Sequence, residues 1–115
     1  MEDRMRQSLL LDFYGELLTE KQRSCYDLHI NEDLSLTEIA EQLRISRQGV
    51  WDNIRRAEAS LQEMEEKTGL IRRFSEQRSV AEQLRASLLE LEKLSEGRAR
   101  DIVVQALDKI KLLLS

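Results

Sequence analysis

The stretch 44–56 combines arginine, glutamine, serine and tryptophan side chains at helical spacing, and it is the part of the sequence best suited to chemistry. With about 100° between successive residues of a helix, one face of this stretch collects the polar and aromatic side chains, opposite the aliphatic ones. Such a face meets phosphates and base edges when its helix lies in a major groove. The candidate nucleic-acid-binding residues are Arg44, Ser46, Arg47, Gln48, Trp51, Asp52, Arg55 and Arg56.

Two of these residues are unusual for a groove in duplex DNA. The carboxylate of Asp52 repels phosphate, and the side chain of Trp51 is bulky and apolar. The alternative is therefore a plain helical hairpin whose outer face is only solvated. Between residues 46 and 57, three arginines outnumber the single aspartate, so the segment is locally positive.

Two helices joined by a very short turn must position this face. Ser35 is predicted to cap the first helix, with Glu38 completing a capping box, and Ser46 is predicted to cap the second. Behind Ser46, aliphatic residues recur at spacings of four, three and four: Val50, Ile54, Ala57 and Leu61. Only residues 43–45 separate the helices, too few to lay them antiparallel. The spacing predicts a helix-turn-helix.

The composition predicts an all-α protein. Among 115 residues there is no proline and there are only four glycines, while good helix formers dominate. No signal peptide or long apolar run is present, so we expect a cytoplasmic protein without membrane insertion. The net charge of −4 argues against a broad, non-specific grip on nucleic acid. Residues 1–68 carry 15 acidic and 9 basic side chains, so local positive charge there suits a selective contact or a protein partner.

Nothing in the sequence predicts catalysis, a cofactor or a small-molecule substrate. There is no glycine-rich phosphate loop, no HExxH and no CxxC motif. Cys25 is the only cysteine and His29 the only histidine, so neither an internal disulfide nor a metal site is expected. We therefore expect a non-enzymatic protein with no catalytic residue and no metal ligand.

Two further helices are predicted before the helix-turn-helix. The first spans about Asp3 to Tyr14 and ends at Gly15, which we expect at a positive φ angle. Its expected inward face consists of Met5, Leu9, Phe13 and Leu17, widened by Leu10 and Tyr14. The second is predicted to be capped by Thr19 with Gln22 in a capping box.

Gly69 marks the best boundary in the chain. The second helix of the helix-turn-helix is predicted to continue to about Lys67, and its tail, residues 58–66, is expected to be acidic and exposed. Gly69 then ends it. This divides the chain into a helix-turn-helix module, residues 1–68, and a C-terminal helical arm, residues 69–115.

The arm is predicted to be a helical hairpin that supports a homodimer. One helix runs from Leu70 to about Leu94, and the last runs from about Arg98 to Leu114 with Leu113 among its inward residues. The two helices of the arm carry more apolar side chains than the contact between them can bury. The expected dimer-interface residues are Leu70, Phe74, Leu84, Leu88 and Leu91. An intramolecular bundle without a dimer is the alternative.

Several short runs resemble known proteins. LTEKQR (18–23), EDLSL (32–36), EIAE (38–41) and ISRQGV (45–50) are similar to region 4 of bacterial sigma factors. With LDFYGELL (11–18) and DNIRR (52–56) added, the sequence over about residues 8–75 resembles the YlxM family, small bacterial proteins encoded beside signal-recognition-particle genes. The resemblance implies a regulatory role in the signal recognition particle pathway, and its sigma-like motif implies nucleic-acid binding.

Three functions remain open at this point. The first is a regulatory or accessory protein of the signal recognition particle, which binds RNA, DNA or the particle's GTPase. The second is a sequence-specific DNA-binding transcriptional regulator, and the third is a dimeric helical interaction protein without nucleic-acid binding. Trp51 and Asp52 favour the third over the second, whereas the arginines of residues 46–57 favour the first two over the third.

Overall fold

Helices make up nearly all of the fold between Glu2 and Ser115, the residues that the computed structural model describes, and this stretch contains no strand. Its elements are α1 (Glu2–Tyr14), a 3-10 turn (Gly15–Leu17), α2 (Glu20–Ile30), α3 (Leu36–Leu43), α4 (Arg47–Thr68), α5 (Leu70–Leu94) and α6 (Gly97–Leu114). The all-α prediction is confirmed. The chain divides into two compact units, an N-terminal unit that ends at Ile71 and a C-terminal unit, Arg72–Ser115. Whether each is an independent domain stays a prediction.

The core of the N-terminal unit is built around α4, which packs against α1, α2 and α3. The largest fully buried side chains of this core are Leu10, Cys25, Tyr26, Ile39, Val50 and Leu61. Each large aliphatic side chain removed from water contributes about 1.5–3 kcal/mol, so α4 is the helix on which the other three depend. Within residues 2–115, no helix has an apolar stretch long enough to pass through a bilayer.

The predicted cap of α2 is confirmed. The Thr19 hydroxyl accepts the Gln22 backbone N–H at 3.1 Å, and the Gln22 side-chain carbonyl accepts the Thr19 N–H at 3.3 Å. Each bond satisfies a backbone donor that the first turn of a helix leaves without an intrahelical partner.

Only part of the predicted face of α1 is buried: Leu10 and Tyr14 lie in the core as predicted, whereas three other members of that face are exposed. Met5 and Leu17 are each 69% exposed and Phe13 is 39% exposed. The buried side chains of this region are Leu10, Leu11, Tyr14 and Leu18. The sequence permits both faces, because three consecutive leucines leave the inward direction undecided. The buried face includes the Tyr14 hydroxyl, which donates a hydrogen bond to a residue on α4.

Gly15 does not take the predicted positive φ angle. It begins the 3-10 turn and is buried. A Cβ atom at this position would lie 3.1 Å from Cδ1 of Leu11, so the small residue permits a close approach rather than a left-handed backbone.

The tail of α4 is not wholly exposed as predicted, because Glu65 is buried at 7% exposure. Its Oε1 accepts the Tyr14 hydroxyl proton at 2.7 Å and the Ile71 backbone N–H at 3.0 Å. Since the Tyr14 proton is used in this way, the hydroxyl of Thr68, which also contacts the Tyr14 oxygen, must be the donor of that bond. The network joins α1 to the end of α4 and supplies an acceptor to the first turn of α5. Gly69 ends α4 as predicted, with φ 63°.

In the C-terminal unit, α5 and α6 are separated by a break at Ser95 and Glu96, and Gly97 takes a φ of +59°. Val103 and Ile110 are the buried side chains of α6. The prediction that Leu113 faces inward is wrong, because this side chain is 73% exposed. It lies three residues beyond Ile110 and about 60° away around the helix, at the edge of the buried stripe.

Candidate nucleic-acid interface

Helix α3 begins with the predicted capping box. The Ser35 hydroxyl accepts the Glu38 N–H at 3.1 Å, and the Glu38 carboxylate accepts the Ser35 N–H at 3.0 Å. The bond from the Ser35 backbone, with a smaller contribution from its side chain, lowers the pKa of Glu38. A negative charge at this helix N-terminus is also favoured by the helix dipole. The first helix of the pair is therefore fixed at its start by its own sequence.

The turn between the two helices is made by Arg44 in the left-handed conformation, with φ 59° and ψ 46°. Its N–H donates to the Ala40 carbonyl, and the Ile45 N–H donates to the same oxygen at 3.1 Å. Glycine is the usual residue at such a position, because a Cβ there costs about 1–2 kcal/mol. The Arg44 side chain is exposed beside the start of α4.

Ser46 is the N-cap of α4, and its hydroxyl oxygen accepts the Gly49 N–H at 2.9 Å. A Cβ at Gly49 would lie 3.1 Å from this oxygen, so the small residue leaves the cap undisturbed. The side chains that α4 buries beyond the cap are Val50, Ile54, Ala57 and Leu61, each 4% exposed or less. They fix the rotation of the helix, and with it the direction of every other side chain on its first three turns.

Two rows of side chains run along the solvent side of α4. One row is Arg47, Trp51 and Arg55, and the other is Gln48, Asp52 and Arg56. Members of a row are four residues apart, which is about 6 Å along the axis and within reach of each other. Trp51 is 46% exposed, and the side chain of Arg55 is 67% exposed. We call these six side chains the outer face of α4.

Asp52 links its neighbours on the outer face. Its Oδ1 accepts a hydrogen bond from Nε2 of Gln48 at 3.2 Å and lies 3.8 Å from Nη2 of Arg55. A carboxylate can only accept hydrogen bonds, so the amide nitrogen of Gln48 must be the atom turned towards it. The Gln48 carbonyl oxygen and its second N–H then remain for a ligand. The nearby guanidinium also offsets part of the Asp52 charge that would repel phosphate.

The structure thus places all eight predicted site residues on the turn and the first three turns of α4. All eight lie on the exposed or half-exposed surface, and Ser46 serves in addition as the helix cap. What the spacing does not reveal is the link from Gln48 through Asp52 to Arg55, although separations of four and three residues permit it. The left-handed backbone of Arg44 is also absent from the prediction, because arginine does not signal it as glycine would.

The predicted dimer-interface residues lie on α5. Leu84 is 52% exposed and Leu91 is 48% exposed, and both belong to the C-terminal unit with the half-buried Leu88. Leu70, at the end of the N-terminal unit, is 41% exposed, and Phe74 is 40% exposed. Their role in an interface stays a prediction.

Comparison with known proteins places the fold in context. Residues 1–100 match a model of the family UPF0122, described as "Putative helix-turn-helix protein, YlxM / p13 like". The chain is 47% identical over 106 residues to a UPF0122 protein of Acetivibrio thermocellus, an alignment that covers 92% of this chain and 83% of the relative. It is 44% identical over 110 residues to a UPF0122 protein of Bacillus cereus strain AH187, covering 96% and 98%. A UPF0122 protein of Bacillus anthracis strain A0248 is similar to the same extent.

Proposed function

The chain belongs to the UPF0122 family of YlxM/p13-like helix-turn-helix proteins, and from that premise we propose that it binds nucleic acid through the outer face of α4. The membership confirms the family resemblance that the sequence predicts. The family is described by its helix-turn-helix, the element that carries the outer face of α4.

The observation that carries the proposal is a concentration of arginine on one exposed face of an acidic unit. Arg47, Arg55 and Arg56 lie within three turns of α4, and Arg44 precedes them at the turn. Arg44 has the left-handed backbone that glycine would adopt with less strain, and its exposed guanidinium adds a fourth positive charge beside the start of α4. Guanidinium groups contact phosphates and base edges in bidentate geometry, which suits this surface to nucleic acid.

A binding titration against a labelled nucleic acid tests the proposal. Arg47→Ala with Arg55→Ala should weaken binding and reduce the dependence of log K on log salt by about 1.4–1.8, at about 0.7–0.9 for each phosphate that is no longer neutralised. The matched control is Arg98→Ala with Arg100→Ala on α6, which removes the same two charges elsewhere. If the variant with Arg47→Ala and Arg55→Ala binds like the native protein, or no more weakly than the control, another surface is responsible for binding.

We further propose that the chain acts as a non-enzymatic accessory protein of the signal recognition particle pathway. The support for this step is the sequence resemblance to proteins encoded beside the particle's genes, together with the family membership. Affinity capture from lysate with and without nuclease tests it. Recovery of the particle's RNA, or of its GTPase after nuclease treatment, is the expected result. Recovery of defined DNA fragments would instead favour the alternative, a transcriptional regulator.

We also propose that the chain forms a homodimer through its C-terminal arm. The support is the exposed apolar surface of α5, where Leu84 and Leu91 lie seven residues apart on one face and are about half exposed. Each such side chain buried at an interface contributes about 1.5–3 kcal/mol towards the cost of association. A twofold dimer would carry two outer faces of α4, which allows paired contacts to one ligand.

A further inference from the structure

Trp51 is the only tryptophan of the chain, and it is 46% exposed in the middle of the outer face of α4. Arg47 precedes it by four residues and Arg55 follows it by four, so a guanidinium lies one turn away on either side. Gln48 is its neighbour three residues back. An indole ring between two cations is therefore the centre of the proposed binding surface.

The ring of an indole gains little in the major groove of a duplex. The groove displays the edges of the base pairs, while the flat faces of the bases are covered by their neighbours in the stack. An unpaired base, in contrast, exposes a flat face, and stacking of that face on an aromatic side chain is worth about 1–3 kcal/mol. The exposed area of Trp51 thus matches an unpaired base better than a base pair.

The polar groups beside the ring match the same ligand. Because the amide nitrogen of Gln48 is turned towards Asp52, the Gln48 carbonyl oxygen and a second N–H are left to pair with the edge of a base. The Asp52 carboxylate accepts from base amino and imino groups but repels phosphate. In a duplex the imino group and one N–H of each amino group are paired within the helix, and the major groove displays only the second amino N–H of adenine or cytosine. In an unpaired base all of these donors are available.

We propose that the outer face of α4 binds an unpaired nucleobase by stacking it on Trp51, with Gln48 and Asp52 at the base edge and Arg47 and Arg55 on the flanking phosphates. This inference rests on the proposed nucleic-acid function and specifies its ligand as a single-stranded or looped segment. A loop in RNA and a strand of single-stranded DNA share this chemistry.

Two measurements on the full chain test the inference. Three probes of about 12 nucleotides are compared: single-stranded RNA, single-stranded DNA and the corresponding DNA duplex. This length lies within the site sizes of proteins that bind single strands. Because Trp51 is the only tryptophan, quenching of the intrinsic fluorescence on addition of a single strand reports stacking directly. Anisotropy of labelled strands gives the affinities of the native protein and its variants.

Trp51→Ala should weaken single-strand binding by about 5- to 150-fold and leave duplex binding almost unchanged. Trp51→Phe, which keeps an aromatic face, should recover most of the loss. Since Trp51 lies outside the core, circular dichroism should show both variants folded. Stronger binding of the RNA strand than of the DNA strand would identify RNA as the source of the base, and equal binding would identify single strands of either kind.

The result also separates this inference from the function on which it depends. If the native protein prefers the duplex and Trp51→Ala has no effect, while Arg47→Ala with Arg55→Ala abolishes binding, the stacking inference fails and nucleic-acid binding stands. If neither strands nor duplex bind at physiological salt, both fail.

Discussion

Two tyrosines are buried in the N-terminal unit, and within the described residues only one of their hydroxyl groups has a hydrogen-bond partner. Tyr14 is 4% exposed and donates to the Glu65 carboxylate at 2.7 Å, whereas Tyr26 is fully buried with no partner for its hydroxyl. The same substitution, tyrosine to phenylalanine, therefore removes a used hydroxyl at one position and an unused one at the other. The difference between the two variants therefore measures how much the hydrogen bonds that join α1 to the end of α4 contribute to the free energy of unfolding.

A hydrogen bond to a charged group is worth about 1.5–3 kcal/mol, so Tyr14→Phe should lower the free energy of unfolding by about that amount. The substitution also leaves the Thr68 hydroxyl without its Tyr14 acceptor. Tyr26→Phe should be neutral or stabilising by up to about 1–2 kcal/mol, because it removes a buried polar group that lacks a partner.

Urea unfolding followed by circular dichroism measures both changes, with a constant slope confirming that only stability has changed. If Tyr14→Phe is no more destabilising than Tyr26→Phe, the buried network does not hold α1 in place. Burial raises the pKa of both tyrosines. Native stability should accordingly fall as the pH rises above about 10, where the unfolded tyrosines ionise first.

Three further predictions concern the turn, the cap of α3 and the arm. Arg44→Gly should leave the free energy of unfolding within about 1 kcal/mol of the native value or raise it, because glycine adopts the left-handed backbone without strain. Its nucleic-acid affinity should fall, because the guanidinium is lost. A larger decrease of the unfolding free energy in urea would assign Arg44 a structural role. Glu38 has a lowered pKa through its bonds to Ser35, so its stabilising contribution is present above the ordinary glutamate pKa and is lost as the pH falls below it. Glu38→Gln should flatten that part of the pH dependence of the unfolding free energy, and an unchanged profile would contradict the assignment. Leu84→Glu with Leu88→Glu should convert a dimer into a monomer in sedimentation equilibrium, and a native mass near 13.5 kDa would rule out the dimer from the start.

The features that the sequence predicts correctly are those fixed by neighbouring residues. The caps of α2, α3 and α4 each depend on a pair three residues apart, and the end of α4 depends on Gly69. The buried stripe of α4 depends on spacing along a single helix. Such features follow from the geometry of one turn, which is encoded within a few residues of the chain.

The errors in the buried faces of α1, α4 and α6 involve partners that are distant in sequence or directions that several residues leave open. The neighbours of Glu65 in the sequence are those of an acidic, solvated helix end. Its burial depends on Tyr14, which lies 51 residues earlier and is therefore not visible in the local pattern. The predicted inward face of α1 is correct at Leu10 and Tyr14 but wrong at Met5 and Phe13, because aliphatic and aromatic residues surround that helix and leave its inward direction open. On the candidate site, spacing alone predicts which side chains share the outer face of α4, but not the hydrogen bond from Gln48 to Asp52.

Asp52 has two physical effects on the outer face, and they oppose each other. Its charge weakens attraction to phosphate, whereas its hydrogen bond orients Gln48 and its proximity restrains Arg55. Asp52→Asn removes the charge but keeps a carbonyl oxygen that can accept the Gln48 N–H, and Asp52→Ala removes both the charge and the acceptor. If only charge matters, the two variants should bind a single strand equally and more tightly than the native protein. If the acceptor oxygen matters as well, through the orientation of Gln48 or through the proposed contact to a base edge, Asp52→Asn should bind more tightly than Asp52→Ala by about 2- to 10-fold, the equivalent of about one neutral hydrogen bond. The buried side chains of α4 lie on the other side of the helix, so neither substitution should change the free energy of unfolding by more than about 0.5 kcal/mol. A larger change would mean that Asp52 stabilises the fold and does not act in ligand binding.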